Sequence, residues 1–141
     1  MIGVEFDIIV TDSIKALELY EKIFDVERIE NTSFEKGLNE AVFKIYGTRF
    51  HFLDENPDYG MIAAKPEDPK PFWINVLVPD ISETFEKAMN TDCTEISPIT
   101  EIETHGVKTA MFSDAFGIVW QLHEIVREVS FEDRIKAAEN K

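Results

Sequence analysis

The chain repeats itself, and the repeat restricts its fold more than any other feature. Residues 5–24 (EFDIIVTDSIKALELYEKIF) and 73–89 (WINVLVPDISETFEKAM) follow one plan, an apolar run that ends in aspartate and leads into an amphipathic helix. An offset of 68 pairs Phe6 with Ile74, Ile8 with Val76, Val10 with Val78, Asp12 with Asp80 and Leu17 with Phe85. A second block, YGTRFHFLD at 46–54 and FGIVWQLHE at 116–124, matches at an offset of 70 and pairs Gly47 with Gly117 and Phe50 with Trp120. Two blocks at nearly one offset imply two tandem modules, and sites tend to form where duplicated modules bring equivalent positions together.

Periodicity fills in each module. The apolar, β-branched run at 4–10 predicts a strand, and Asp12 is placed to cap a helix carrying Ile14, Leu17, Leu19, Ile23 and Phe24. Three further strands are expected at about 27–34, 40–46 and 49–54, divided by Lys36-Gly37 and Tyr46-Gly47 turn signals. Residues 55–71 hold four of the six prolines and read as an extended connector. Asp80 with Glu83 suggests a capping box for the second helix, which runs to about Asn90. Strands at about 95–103, 107–113 and 118–126 complete the second copy. Ser130 and Asp133 start a short terminal helix whose Phe131 and Ile135 are expected to dock on the body. The sequence therefore predicts one α+β domain over 1–141: module one at about 1–55, a connector at 56–71, module two at 72–126 and a helix at 130–140.

Composition narrows the partners. With 141 residues, 44% of them hydrophobic, the chain is expected to bury about two thirds of its unfolded surface in one domain. A net charge of −14 repels phosphate backbones and anionic membrane surfaces, so neither nucleic acid nor membrane is an expected partner. MIGVEFDIIV has no basic leader region, and no apolar run reaches the roughly 20 residues a bilayer requires. One cysteine, Cys93 beside Asp92, suits an inert thiol in a reducing cytoplasm. No Gly-rich phosphate loop, CxxC, HExxH or Gly-x-Ser-x-Gly elbow occurs.

Two strand-helix-three-strand modules, the opening VTDSIKALELYEKIF and the closing HGVKTAMFSDAFGIVWQLHE together resemble the vicinal oxygen chelate superfamily of glyoxalase I, bleomycin-resistance proteins and extradiol dioxygenases. His105-Gly106, the Ser-Asp-x-Phe-Gly turn at 113–117 with Trp120, and FLDENPDYG are most similar to its PhnB-like branch. The resemblance implies a curved mixed sheet around a concave ligand pocket and a homodimer. A methyltransferase label used for that branch is discounted, because no donor-binding glycine loop is present.

Strand alternation selects a face independently of the family. Glu5, Asp7 and Ile9 share one side of the first strand, Arg49, His51 and Leu53 one side of the fourth, Trp73, Asn75 and Leu77 of the fifth, and Val119, Gln121 and His123 of the eighth. The candidate ligand-binding set is therefore Glu5, Asp7, Arg49, His51, Trp73, Asn75, Gln121 and His123, with His105 at the rim. An antiparallel sheet with one solvated face gives the same alternation with no ligand, and that alternative stays open.

Metal-dependent relatives place one ligand on the first and one on the last strand of each module. Those positions here carry Glu5, His51, Trp73 and Gln121. Glu5, His51 and Gln121 are competent donors for Zn, Ni or a similar divalent ion, whereas an indole offers only an N–H donor. An extradiol site needs two histidines and a carboxylate, which this arrangement lacks. Two functions follow as expectations. The first is binding of a small, cationic or aromatic molecule without a metal or other cofactor. The second is a glyoxalase-type lyase or isomerase using a divalent metal on Glu5, His51 and Gln121. Glu5 and His51 are also the candidate catalytic groups, with Glu5 or Asp7 beside His51 as a metal-free general base.

Overall fold

The structure, a computed structural model, describes residues 1–140. The chain divides into two compact units, Met1–Pro69 and Lys70–Lys141. Each unit has its own four-stranded mixed sheet in the predicted order of elements, and together they give the α+β class expected from the sequence.

The first unit runs β1 (Phe6–Val10), α1 (Ser13–Ile23), β2 (Val26–Asn31), β3 (Glu40–Ile45) and β4 (Thr48–Asp54). Its sheet order is β1-β4-β3-β2, with β1 parallel to β4 and the other pairs antiparallel. Tyr46 and Gly47 join β3 to β4 with φ of 46° and 84°, the left-handed pair that a two-residue hairpin turn requires. α1 buries Ala16, Leu17, Tyr20 and Ile23. Tyr20 meets Phe52 edge-on at 5.4 Å and Phe43 at 6.0 Å, and each such aromatic pair adds roughly 0.5–1.5 kcal/mol beyond the area it buries. Phe6 departs from the expected covered face, since it is 53% exposed while resting on Phe50 at 5.7 Å at the start of its strand.

The second unit runs β5 (Ile74–Leu77), α2 (Ile81–Met89), β6 (Thr94–Ile102), β7 (Val107–Ser113), β8 (Val119–Ile125) and α3 (Phe131–Glu139), with sheet order β5-β8-β7-β6. The two registers correspond residue by residue. Phe6 lies across from Phe50 and Asp7 from His51, as Ile74 lies across from Trp120 and Asn75 from Gln121. The helix starts correspond as well. Asp12 accepts from the Lys15 N–H at 3.0 Å and Asp80 from the Glu83 N–H at 3.1 Å. The last strand of each unit adds a carboxylate: Asp54 accepts from the Ser13 N–H at 2.7 Å and Glu124 from the Ile81 N–H at 2.9 Å. Each of these acceptors satisfies an N–H that the first helical turn leaves without a partner.

Three expectations change. The Asp80 cap is one-sided, because the Glu83 carboxylate pairs with Lys87 at 3.1 Å rather than turning back to the cap. The connector is not wholly extended: Asn56 caps a 3-10 turn at Pro57–Tyr59, and Asn56 bridges to Met61. Pro57 favours that turn because its fixed φ suits a helix start. In α3, Phe131 and Ile135 are 68% and 42% exposed, while Arg134 and Ala137 are the partly covered positions. The helix thus turns a different side toward its unit from the one its apolar residues suggested. No helix among the described residues is long and apolar enough to cross a membrane.

Candidate functional site

In the first unit, Glu5 precedes β1 by one residue, Asp7 lies within β1, and Arg49 and His51 alternate along β4. The parallel register sets Asp7 directly across from His51. Arg49 Nε donates to Glu5 Oε2 at 2.7 Å. His51 Nδ1 is 3.3 Å from Glu5 Oε1 and 3.6 Å from Asp7 Oδ1. His51 Nε2 is buried without a hydrogen-bond partner among the described residues, and Glu40 Oε2 at 3.8 Å is too distant to serve. A neutral imidazole that donates from Nδ1 to Glu5 leaves Nε2 as an acceptor with nothing to accept from.

The two carboxyls are driven apart in proton affinity. The Arg49 guanidinium, aided by a hydrogen bond from Asp7 and by His51, holds Glu5 below its ordinary value against the opposing effect of burial. Desolvation and the neighbouring Glu5 carboxylate raise Asp7. Asp7 is thus the member of the pair that takes a proton first, although its side chain is 56% exposed.

In the second unit the equivalent positions carry different chemistry and make the same kind of contact. Trp73 precedes β5 by one residue, as Glu5 precedes β1, and its Nε1 donates to Gln121 Oε1 at 2.9 Å. Trp73 is 55% exposed. Asn75 is exposed on the same side of β5 and pairs in register with Gln121. His123, two residues beyond Gln121, lines a cavity together with His105, which ends the 3-10 turn Glu103–His105.

One ligand atom from each of Glu5, Asp7 and His51 lies within 4.8 Å of the others, a grouping able to hold a metal ion. It differs from the sequence-derived donor set in containing Asp7 and no Gln121. Asp7 and His51 suit a divalent ion, whereas Glu5 Oε2 is held by a guanidinium and Gln121 Oε1 by an indole N–H. The signal for Asp7 was present in the sequence as the pairing of first and last strands, which sets it opposite His51. Glu40 near His51 had no such signal, because it depends on the β3–β4 register.

A family model described as Glyoxalase/Bleomycin resistance protein/Dioxygenase superfamily matches residues 4–122. An uncharacterised protein of Mycobacterium bovis is 29% identical over 137 residues, which cover 93% of this chain and 88% of that one. An uncharacterised protein of Mycobacterium tuberculosis is equally similar, with 93% and 78% covered. Among solved structures, a mutant of the fosfomycin resistance protein FosX from Listeria monocytogenes, complexed with Mn(II) and 1S,2S-dihydroxypropylphosphonic acid, gives a TM-score of 0.69 at 19% identity, covering 98% of this chain and 99% of that one. TioX from Micromonospora sp. ML1 gives 0.66 at 16% identity, covering 89% and 99%. The structural likenesses establish the fold, and with a family match over residues 4–122 this chain belongs to the glyoxalase/bleomycin resistance/dioxygenase superfamily.

Proposed function

We propose that this protein binds a small cationic or aromatic molecule through the Glu5–Asp7–His51 face, with no metal required. The observation that carries this reading is the unequal pairing of the two carboxylates. Glu5 has Arg49 at 2.7 Å, whereas Asp7 is half exposed and has no lysine or arginine partner among the described residues. A ligand cation supplies the missing charge, and the net charge of −14 attracts it over a distance. Calorimetric titration with benzyltrimethylammonium tests the reading: saturable binding that weakens at least about tenfold in Asp7→Asn supports it, and identical affinity in the variant removes it.

A second reading is a divalent-metal lyase or isomerase of the glyoxalase type, with Glu5, Asp7 and His51 as metal ligands in place of the set containing Gln121. Their mutual approach within 4.8 Å favours it, with His51 Nδ1 as the nitrogen that faces both carboxylates. Elemental analysis of protein purified without chelator, with loss of metal in His51→Ala, supports this reading; absence of stoichiometric metal removes it. In either case we infer a cytoplasmic homodimer, supported by the single cysteine and by the resemblance to the PhnB-like branch. Sedimentation velocity reports the oligomeric state.

A further inference from the structure

The second unit contains a cavity of about 600 Å³ whose chemistry is opposite to that of the Glu5–Asp7 face. His105, His123, Arg127 and Arg134 lie in its wall, and Glu128 is the one carboxylate there among the described residues. In a chain of net charge −14 this is a local reversal of sign. Val107 and Ile125 supply an apolar part of the lining.

The cavity depends on a strap, residues 126–130, that ties β8 to α3. The N–H groups of Val126 and Arg127 both donate to the Gly106 carbonyl, at 2.8 and 3.1 Å. Gly106 has φ of +66°, and a Cβ there would lie 2.3 Å from the Arg127 carbonyl oxygen, so only glycine lets the strap approach this closely. Arg127 Nη2 donates to the Glu103 carbonyl, a neutral acceptor that leaves the guanidinium charge uncompensated. Arg134 stacks over the Phe131 ring, 5.6 Å from its centroid. Its Nε is buried and has no hydrogen-bond partner among the described residues. Neither arginine has a carboxylate within ion-pair distance among those residues.

A buried donor without an acceptor is rare in folded proteins, and here it belongs to an arginine that also lines an open cavity, beside a second uncompensated guanidinium and two imidazoles. We propose that this cavity is a binding site for a small organic oxyanion, with its phosphate or carboxylate group on Arg134 and Arg127 and its apolar body against Val107 and Ile125. The planar guanidinium fork matches both kinds of oxyanion, and imidazole N–H groups add donors. The second unit alone carries this site, so it stands apart from the reading given for Glu5 and Asp7.

Calorimetric titrations with phenyl phosphate, benzoate and benzylamine test the proposal, together with the Arg134 Nε–Hε NMR signal. The expected result is 1:1 binding of an anion with a shift of that signal, phenyl phosphate and benzoate separating a phosphate from a carboxylate preference. Arg134→Gln weakens binding at least about tenfold, Lys22→Gln on α1 leaves it unchanged, and Glu128→Gln tightens it severalfold, a gain that misfolding does not produce. Failure of both anions to saturate by roughly 10 mM overturns the proposal, as does unchanged affinity in both Arg134→Gln and Glu128→Gln, or equal binding of benzylamine at the same signal.

Discussion

Trp73 donates its indole N–H to Gln121 Oε1 at 2.9 Å, at the position where His51 approaches Glu5 to 3.3 Å in the other unit. The duplication has kept the contact between the residue ahead of the first strand and the residue on the last strand, while changing both partners. A carboxylate facing an imidazole can bind a cation or move a proton. An indole facing an amide carries no formal charge and no group that takes up or releases a proton near neutral pH, and the exchange is the sharpest chemical difference between the copies.

Removing the amide is expected to free the indole N–H. In Gln121→Ala, hydrogen exchange at Trp73 Nε1 should rise roughly fivefold, the equivalent of about 1 kcal/mol for a neutral hydrogen bond. The Trp120 indole, which donates to Asp114 Oδ2 at 2.9 Å, serves as the internal control and should not change.

Asp54 is expected to be the most stability-sensitive carboxylate of the first unit. Its Oδ1 accepts from the Ser13 N–H and hydroxyl, both at 2.7 Å, and its Oδ2 from the N–H groups of Gly37 and Asn39 at 2.9 and 3.1 Å. Burial alone would raise its proton affinity, but these hydrogen bonds outweigh burial and hold it below its ordinary value. A depressed folded-state value gives stability that is present above the unfolded value and is lost as pH falls through the folded one. Asp54→Ala should cost about 3–5 kcal/mol in denaturant unfolding and Asp54→Asn about 2, with the acid-limb dependence reduced in both.

Asp7 should set the lower pH limit for cation binding. It is raised, by burial and by Glu5, while Glu5 is lowered, by Arg49 first, so on acidification Asp7 protonates before Glu5. Affinity for a cationic ligand should hold at neutral pH and fall as pH drops through the raised Asp7 value. The stability effect has the opposite sign: a raised carboxyl favours folding below its unfolded value, and that contribution is lost as pH rises through the folded one. Asp7→Asn should therefore be no less stable than the parent at pH 7, and a thermal melt checks it.

Cys93 should be nearly inert. Burial, with the charges of Asp114 and Asp92 and against a hydrogen bond from Thr91, pushes its thiol up to about 11. At pH 7.5 that leaves roughly two orders of magnitude less thiolate than a free cysteine, and iodoacetamide should modify Cys93 correspondingly slowly.

Most of the fold was legible because the repeat carried redundant information. Asp12 and Asp80, the Tyr46-Gly47 turn and the alternation of Phe50 and Phe52 with Arg49 and His51 each fixed a local element, and the second copy repeated the pattern. The site was legible only as a set of positions. That Glu5 belongs to Arg49 depends on the reach of two side chains around a strand end, and no sequence period encodes it. The His105–Arg134 cavity escaped for a related reason. It is built by a strap held on Gly106 and by a helix whose partly covered side, at Arg134 and Ala137, is not the one marked by Phe131 and Ile135.

The central claim is that Glu5 and Asp7 hold a cationic molecule without a metal, and calorimetry on chelator-treated protein tests it most directly. Benzyltrimethylammonium should bind the metal-free protein saturably, with affinity reduced at least about tenfold in Glu5→Gln and Asp7→Asn and not increased by added Mn²⁺, Zn²⁺ or Ni²⁺. Binding that appears only after a divalent ion is restored, and that is lost together with the ion in His51→Ala, would contradict it.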